Sequence, residues 1–190
     1  AMGHLINTFI LLGFLTMTAW YATRERRYLP GISVGVGVLI GLGVAALLIV
    51  GLSGSLAALS NMLFPSGSLA EGLAKDLNPT SNLILRLRLS HPIMSVLTSV
   101  YLIFLAGVLS SRSPKDRNLK RWSNVVSILV IVQVIFGGAT LLSLGPIVMQ
   151  LGHLILADAV WASFVLLIAS FLYTNGPRIA RRSSEAGIPD

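Results

Sequence analysis

Apolar residues run in five long blocks, at 4–22, 31–52, 89–109, 125–144 and 147–173, separated by shorter polar stretches. Each block holds about the 20 residues that cross a hydrocarbon layer of roughly 30 Å at 1.5 Å of rise per residue. A bilayer offers no water to backbone N–H and C=O groups, so each block is predicted to be a helix. The expected fold class is an all-α membrane protein with five transmembrane helices, spans two to five forming a four-helix bundle. The composition agrees, with 54% hydrophobic residues, 11% charged and a mean hydropathy of +0.82.

Charge then orients the spans. Arg24, Arg26 and Arg27 follow the first block; Arg112, Lys115, Arg117, Lys120 and Arg121 follow the third; Arg178, Arg181 and Arg182 follow the fifth. These are all of the 14 Lys and Arg except Lys75, Arg86 and Arg88. Basic residues gather on the cytoplasmic side of short loops, which puts the carboxyl terminus in the cytoplasm and the amino terminus outside. The net charge of +7 therefore reads as topology, with membrane lipid as the partner and no nucleic acid. No transit-like segment is present, so the plasma membrane of a prokaryote is the expected location. Cysteine is absent, which excludes disulfides and thiolate-held metal clusters.

The expected domains are 1–29, the first span and its cytoplasmic loop; 30–176, the bundle, with an outer loop at 53–90; and 177–190, a basic cytoplasmic tail. Within the outer loop, Leu56, Leu59, Leu63, Leu69 and Leu73 recur at roughly helical spacing around Pro65-Ser66-Gly67. That pattern predicts short amphipathic pieces on the outer surface, which either cap a pocket or brace the bundle. Gly31, Gly35, Gly37, Gly41 and Gly43 in the second span predict close helix packing. The first span lacks a charged n-region and is no secretory signal. Five spans suit a paired design badly. A fragment or a natural short form is expected, its first span belonging with helices outside this chain; Ala1–Gly3 reads equally well as a cloning scar.

His4, His91 and His153 each open an odd-numbered span, so all three fall toward the outer side. His91 and His153 lie at matched depth on helices separated by one span, which is what a haem iron needs for axial ligation from both faces. Zinc held by these two alone would lack further ligands. Arg86 and Arg88 lie just outward of His91, on the side that should be poor in positive charge. Their planar forks suit haem propionates, with snorkelling to headgroups as the plainer reading. Pro92 either kinks the helix or marks its first turn. On the fifth span His153, Ala157, Val160, Trp161 and Phe164 share a face, as a haem wall or simple core. Asp158 points away from it, to orient a polar group such as Gln133 or to move protons. Gly137-Gly138 admit either a flat cofactor or a close helix.

Asn61-Met62-Leu63-Phe64-Pro65, the stretch from Arg86 to Pro92, Gln133 with its glycines, and His153-Leu154-Ile155-Leu156-Ala157-Asp158 resemble, in that order, the second half of heme A synthases. His4-Leu5-Ile6-Asn7-Thr8 resembles the start of the last helix of their first half. Members of that family oxidise a methyl group of haem O to the formyl group of haem A for cytochrome oxidases. The resemblance covers the chain up to about Tyr173. It implies that His91 and His153 ligate haem b, a redox or structural centre, and that His4 is one of two ligands facing the substrate haem O. The partner histidine and the glutamate implicated in oxidation have no counterpart here, so the chain is not expected to be active alone. Its expected partners are a missing amino-terminal half or cytochrome oxidase assembly proteins. The residues themselves also allow a stand-alone membrane cytochrome b for electron transfer, or a haem-free accessory membrane subunit.

Overall fold

Every long apolar block is a helix. The structure, a computed structural model, describes residues 2–24, 32–78 and 80–175, with every side chain among them except those of Met2, Leu83 and Arg86. In chain order the helices are α1 (Met2–Ala22), α2 (Val34–Leu63), α3 (Leu69–Leu77), α4 (Leu83–Arg88), α5 (Ser90–Ser111), α6 (Arg117–Leu142) and α7 (Ile147–Asn175). The described residues contain no strand. α1, α2, α5, α6 and α7 are long and apolar enough to cross a membrane, in the expected number and order. Arg26, Arg27, Arg178, Arg181, Arg182 and the tail at 177–190 lie outside the described residues.

α2 runs further than its hydropathy suggests. It continues about three turns past Leu52, through Ser53-Gly54-Ser55 to Leu63. The hydroxyls of Ser53 and Ser55 fold back onto the carbonyls of Val50 and Leu52, at 2.9 and 3.0 Å, so these polar residues do not end the helix. The approach to Pro65 does. Of the amphipathic pieces expected after residue 53, the first is therefore the end of a span, while α3 and α4 are separate short helices.

Short connections make consecutive spans antiparallel. α2, α5, α6 and α7 pack in sequence, and α1 lies against α7 and α2. Leu144 and Gly145, at φ 61° and 64°, turn the chain from α6 into α7. The main core gathers Val36, Leu102, Leu105, Ala106, Leu109, Leu119, Val126, Val130, Val160, Phe164, Leu167 and Phe171. Its centre is Phe164, fully buried against Gly43 and Leu105. Interhelical hydrogen bonds reinforce the packing: Tyr101 Oη donates to Leu39 O at 2.7 Å, Ser123 Oγ to Ala106 O at 2.9 Å, and Trp161 Nε1 to Phe9 O at 2.7 Å. All of these core residues lie in one half of the bundle. No hydrophobic side chain is buried at 44–63 of α2, 90–101 of α5, 131–142 of α6 or 147–159 of α7.

Polar contacts hold the other end. Ser68 Oγ accepts the Glu71 N–H that opens α3, and Glu71 Oε2 accepts the Gly67 N–H, a capping box displaced by one residue. The Lys75 ammonium 2.7 Å away, followed by the Gly67 N–H, holds the Glu71 carboxyl below its ordinary range. Arg88, at the end of α4, gives Nε to Asp76 Oδ2 (3.1 Å), Nη2 to Asp76 Oδ1 (2.6 Å) and Gly72 O (3.3 Å), and Nη1 to Asn61 Oδ1 (2.8 Å). One guanidinium thus ties α4 to α3 and to the last turn of α2. Asp76 and Arg88 side chains are 6% and 13% exposed, so the pair is desolvated and each charge depends on the other.

In detergent-solubilised protein, Phe164→Ala is expected to cost about 3–5 kcal/mol, since the ring leaves a cavity at the helix junction; an unchanged thermal unfolding transition would contradict this packing. Asp76→Asn leaves Arg88 without its counter-charge and is expected to cost about 3 kcal/mol or more, with faster proteolysis in the α3–α4 segment. Proteolysis at the wild-type rate would show that the clamp holds nothing.

Candidate functional site

The helix starts of α5 and α7 and the helix ends of α2 and α6 meet at the loosely packed end. Ser90 and His91 open α5, with Pro92 in its first turn, where a missing N–H costs no helical hydrogen bond. The His91 ring reaches back to α2. Its Nδ1 lies 3.0 Å from Ser53 Oγ. An added Cβ at Gly54 would fall 2.9 Å from His91 Cε1, so the ring edge occupies the space that glycine leaves open.

His153 is held in the same manner from α6. A Cβ at Gly137 would fall 2.8 Å from His153 Cε1, and the Phe136 ring stacks on the imidazole at 6.4 Å and 7°. Gln133 Nε2 donates to His153 O at 3.1 Å. A carbonyl oxygen only accepts, so this bond fixes which amide atom is nitrogen, and its second N–H is aimed at His153 Nε2, 3.3 Å away. His153 Nδ1 and Gln133 Oε1 are both buried without a hydrogen-bond partner.

These two seats bring the imidazoles together, with ring centres 6.4 Å apart and planes at 89°. Two imidazoles that share one metal, at about 2 Å per metal–nitrogen bond, hold their ring centres about 6 Å apart. The surrounding helix segments carry no buried apolar side chain. A flat, largely apolar group coordinated at its centre fits this arrangement on two counts: the ring spacing, and segments of α2, α5, α6 and α7 without a buried apolar core of their own. The described residues contain no cluster of three or more His, Cys, Asp or Glu that could hold a bare metal ion.

The other expected site residues have different surroundings. His4 is exposed in the first turn of α1, and Leu5 beside it packs against Gly51, so His4 lies at the same end as the pair without joining it. Arg88 does stand one turn before His91, because α4 and α5 are joined through helical backbone at Leu89 (φ −66°, ψ −25°). Its guanidinium turns away toward α3, however, and four of its five N–H donors are engaged, three with α3 and one with Asn61 of α2. Arg86 lies in α4, and its side chain is outside the described set. Val160, Trp161 and Phe164 are buried core beyond the pair, with Trp161 stacked on Phe9 at 5.4 Å. Asp158 does not reach Gln133, whose amide is committed to His153; Asp158 Oδ1 is buried without a hydrogen-bond partner.

Three contributors escape a reading of the sequence alone: Ser53, Gly54 and Phe136. Gly54 carries a signal in retrospect. It stands near the end of one span where the next begins with His91, as Gly137 stands before His153.

Comparison with known proteins adds a family to this geometry. The family model described as cytochrome oxidase assembly protein matches residues 1–165. Among curated proteins, the chain is 36% and 35% identical, over 178 residues in each case, to the protoheme IX farnesyltransferases of two strains of Thermus thermophilus. Each alignment covers 94% of this chain and 29% of the relative, so the chain spans under a third of the length of the curated relatives it matches. No solved structure matches. The family match takes in His4, His91 and His153 and extends through α6 into α7: this chain belongs to the cytochrome oxidase assembly proteins, the heme A synthase family.

Proposed function

We propose that this chain is part of a heme A synthase, in which the bundle of α2, α5, α6 and α7 binds haem b between His91 and His153 as a redox or structural centre. The observation that carries the proposal is the coincidence of two half-buried imidazoles at 6.4 Å with the half of the bundle that has no apolar core. The relatives point the same way, since a protoheme IX farnesyltransferase is by its name a protein that acts on a haem. Such a haem supplies one-electron chemistry.

The chain's own residues have definable tasks in this reading. His91 and His153 would hold the haem iron through their ring nitrogens, and Gly54 and Gly137 let each ring approach from its neighbouring helix. Gln133, which touches His153 Nε2, would give up that contact for the nitrogen to hold iron, while its bond to His153 O remains. Arg88 retains one uncommitted N–H for a propionate, and its larger task is to hold α4, and through it the start of α5, in place. His4, exposed at the same end, would face a second haem, the haem O that is the substrate of the complete enzyme.

Orientation follows from charge. Arg24, stacked over Trp20 at 3.2 Å, and the cluster from Arg112 to Arg121 lie at the end opposite the histidines. With the basic end inside, the histidine end faces outward from a prokaryotic plasma membrane and the carboxyl terminus is cytoplasmic.

Haem titration of the purified chain tests the proposal. Wild type is expected to take up about one haem per chain. His91→Ala and His153→Ala are each expected to weaken binding by more than the 10–100-fold typical of outer-shell changes, with the thermal transition retained as evidence of folding. Undiminished binding by both folded variants would sink the ligand assignment.

A further inference from the structure

We propose that Ser53 is a positioning residue that holds His91 in a single tautomer, with the proton on Nδ1 and the lone pair open on Nε2. Counting donors and acceptors decides between the tautomers. Ser53 Oγ makes two contacts, with Val50 O at 2.9 Å and with His91 Nδ1 at 3.0 Å. A hydroxyl has one proton, and the Val50 carbonyl can only accept. Both contacts are hydrogen bonds at once only if Ser53 donates to Val50 and His91 Nδ1–H donates to Ser53. The Val50 carbonyl also faces the His91 imidazole itself, so the reverse assignment leaves that carbonyl facing both a bare oxygen and a bare ring nitrogen, and Ser53 and Val50 call for the same tautomer. Inside a membrane span each such loss is costly, so the fully bonded chain from imidazole to hydroxyl to carbonyl wins.

Gly54 completes the seat. With the ring edge 2.9 Å from where its Cβ would stand, the imidazole cannot rotate toward α2 without collision once residue 54 carries a side chain. Ser53 and Gly54 thus act on the same ring from consecutive positions, one fixing the proton and the other the approach. His153 has no such relay. Its Nδ1 is without a partner, and its Nε2 is the nitrogen that Gln133 touches. The two imidazoles are therefore unequal: His91 has its Nε2 prepared in advance, and His153 must first exchange a hydrogen bond. As an acceptor for the imidazole N–H, Ser53 would also orient the ring and strengthen Nε2 as a donor toward a metal, the effect known from outer-shell partners of metal-bound histidines.

The tautomer assignment is independent of haem, and only its consequence for ligand strength rests on the function proposed above. The test uses the full chain with 15N-labelled histidine. Only His4, His91 and His153 contribute signals, and single His→Ala variants assign them. The His91 signals are expected to show a protonated Nδ1 and an unprotonated Nε2 in wild type and in Ser53→Thr, and a mixture of tautomers in Ser53→Ala. A protonated Nε2 in wild type, or an unchanged spectrum in Ser53→Ala, would overturn the proposal. In the haem-loaded protein, Ser53→Ala is expected to weaken binding about 10–100-fold and to raise the midpoint potential, with Ser53→Thr restoring both. If wild type shows the assigned tautomer yet takes up no haem, the haem reading fails and the Ser53 assignment stands.

Discussion

The structure depends on an uneven distribution of close packing. Phe164 fills the junction of α7, α2 and α5, and it can do so because residue 43 is glycine; a Cβ there would lie 2.8 Å from the ring. Around that contact the helices meet at the density of a protein interior, and the bundle is rigid at the end that carries the basic loops. Toward the histidine end the helices meet at fewer such points, chiefly the Phe136 ring of α6 against Gly152 of α7, and directional contacts share the task of placing them. The Arg88–Asp76–Asn61 clamp is one, and the paired seats of His91 and His153 are the others. A bundle closely packed at one end and without buried apolar side chains in the spans at the other is well suited to hold a large group without having to open a finished core.

The two seats share a plan and differ in detail. In each, a histidine in the first two turns of one helix lies against a glycine of the preceding span. Their hydrogen bonds are not equivalent. Ser53 meets His91 at Nδ1, whereas Gln133 meets His153 at Nε2. The bundle thus sets its two imidazoles in unlike hydrogen-bonding surroundings, a difference that the matched spacing of the histidines conceals.

Much of the architecture was legible in the sequence because bilayer physics has few solutions. Five apolar blocks had to be helices, and their short connections had to make them antiparallel. The grouping of His4, His91 and His153 at one end followed from counting spans. The end of α2 was not legible, because Ser53 and Ser55 satisfy their hydroxyls on their own helix and so behave as apolar residues would. The engagement of Arg88 was hidden for a different reason: its partners, at positions 61, 72 and 76, follow no periodicity, and an outward arginine beside a histidine invited a ligand role. The same holds for Gln133 and Asp158, whose pairing was a reasonable match of polar residues across helices. The register of α6 against α7 instead delivers Gln133 to His153.

Whether His91 and His153 share one haem is tested most directly by a reduced-minus-oxidised absorption spectrum of the purified chain, with extraction of the porphyrin. A shared haem gives a low-spin, six-coordinate spectrum from about one haem b per chain. A colourless protein after expression with haem supplied, or a high-spin five-coordinate spectrum, would contradict it.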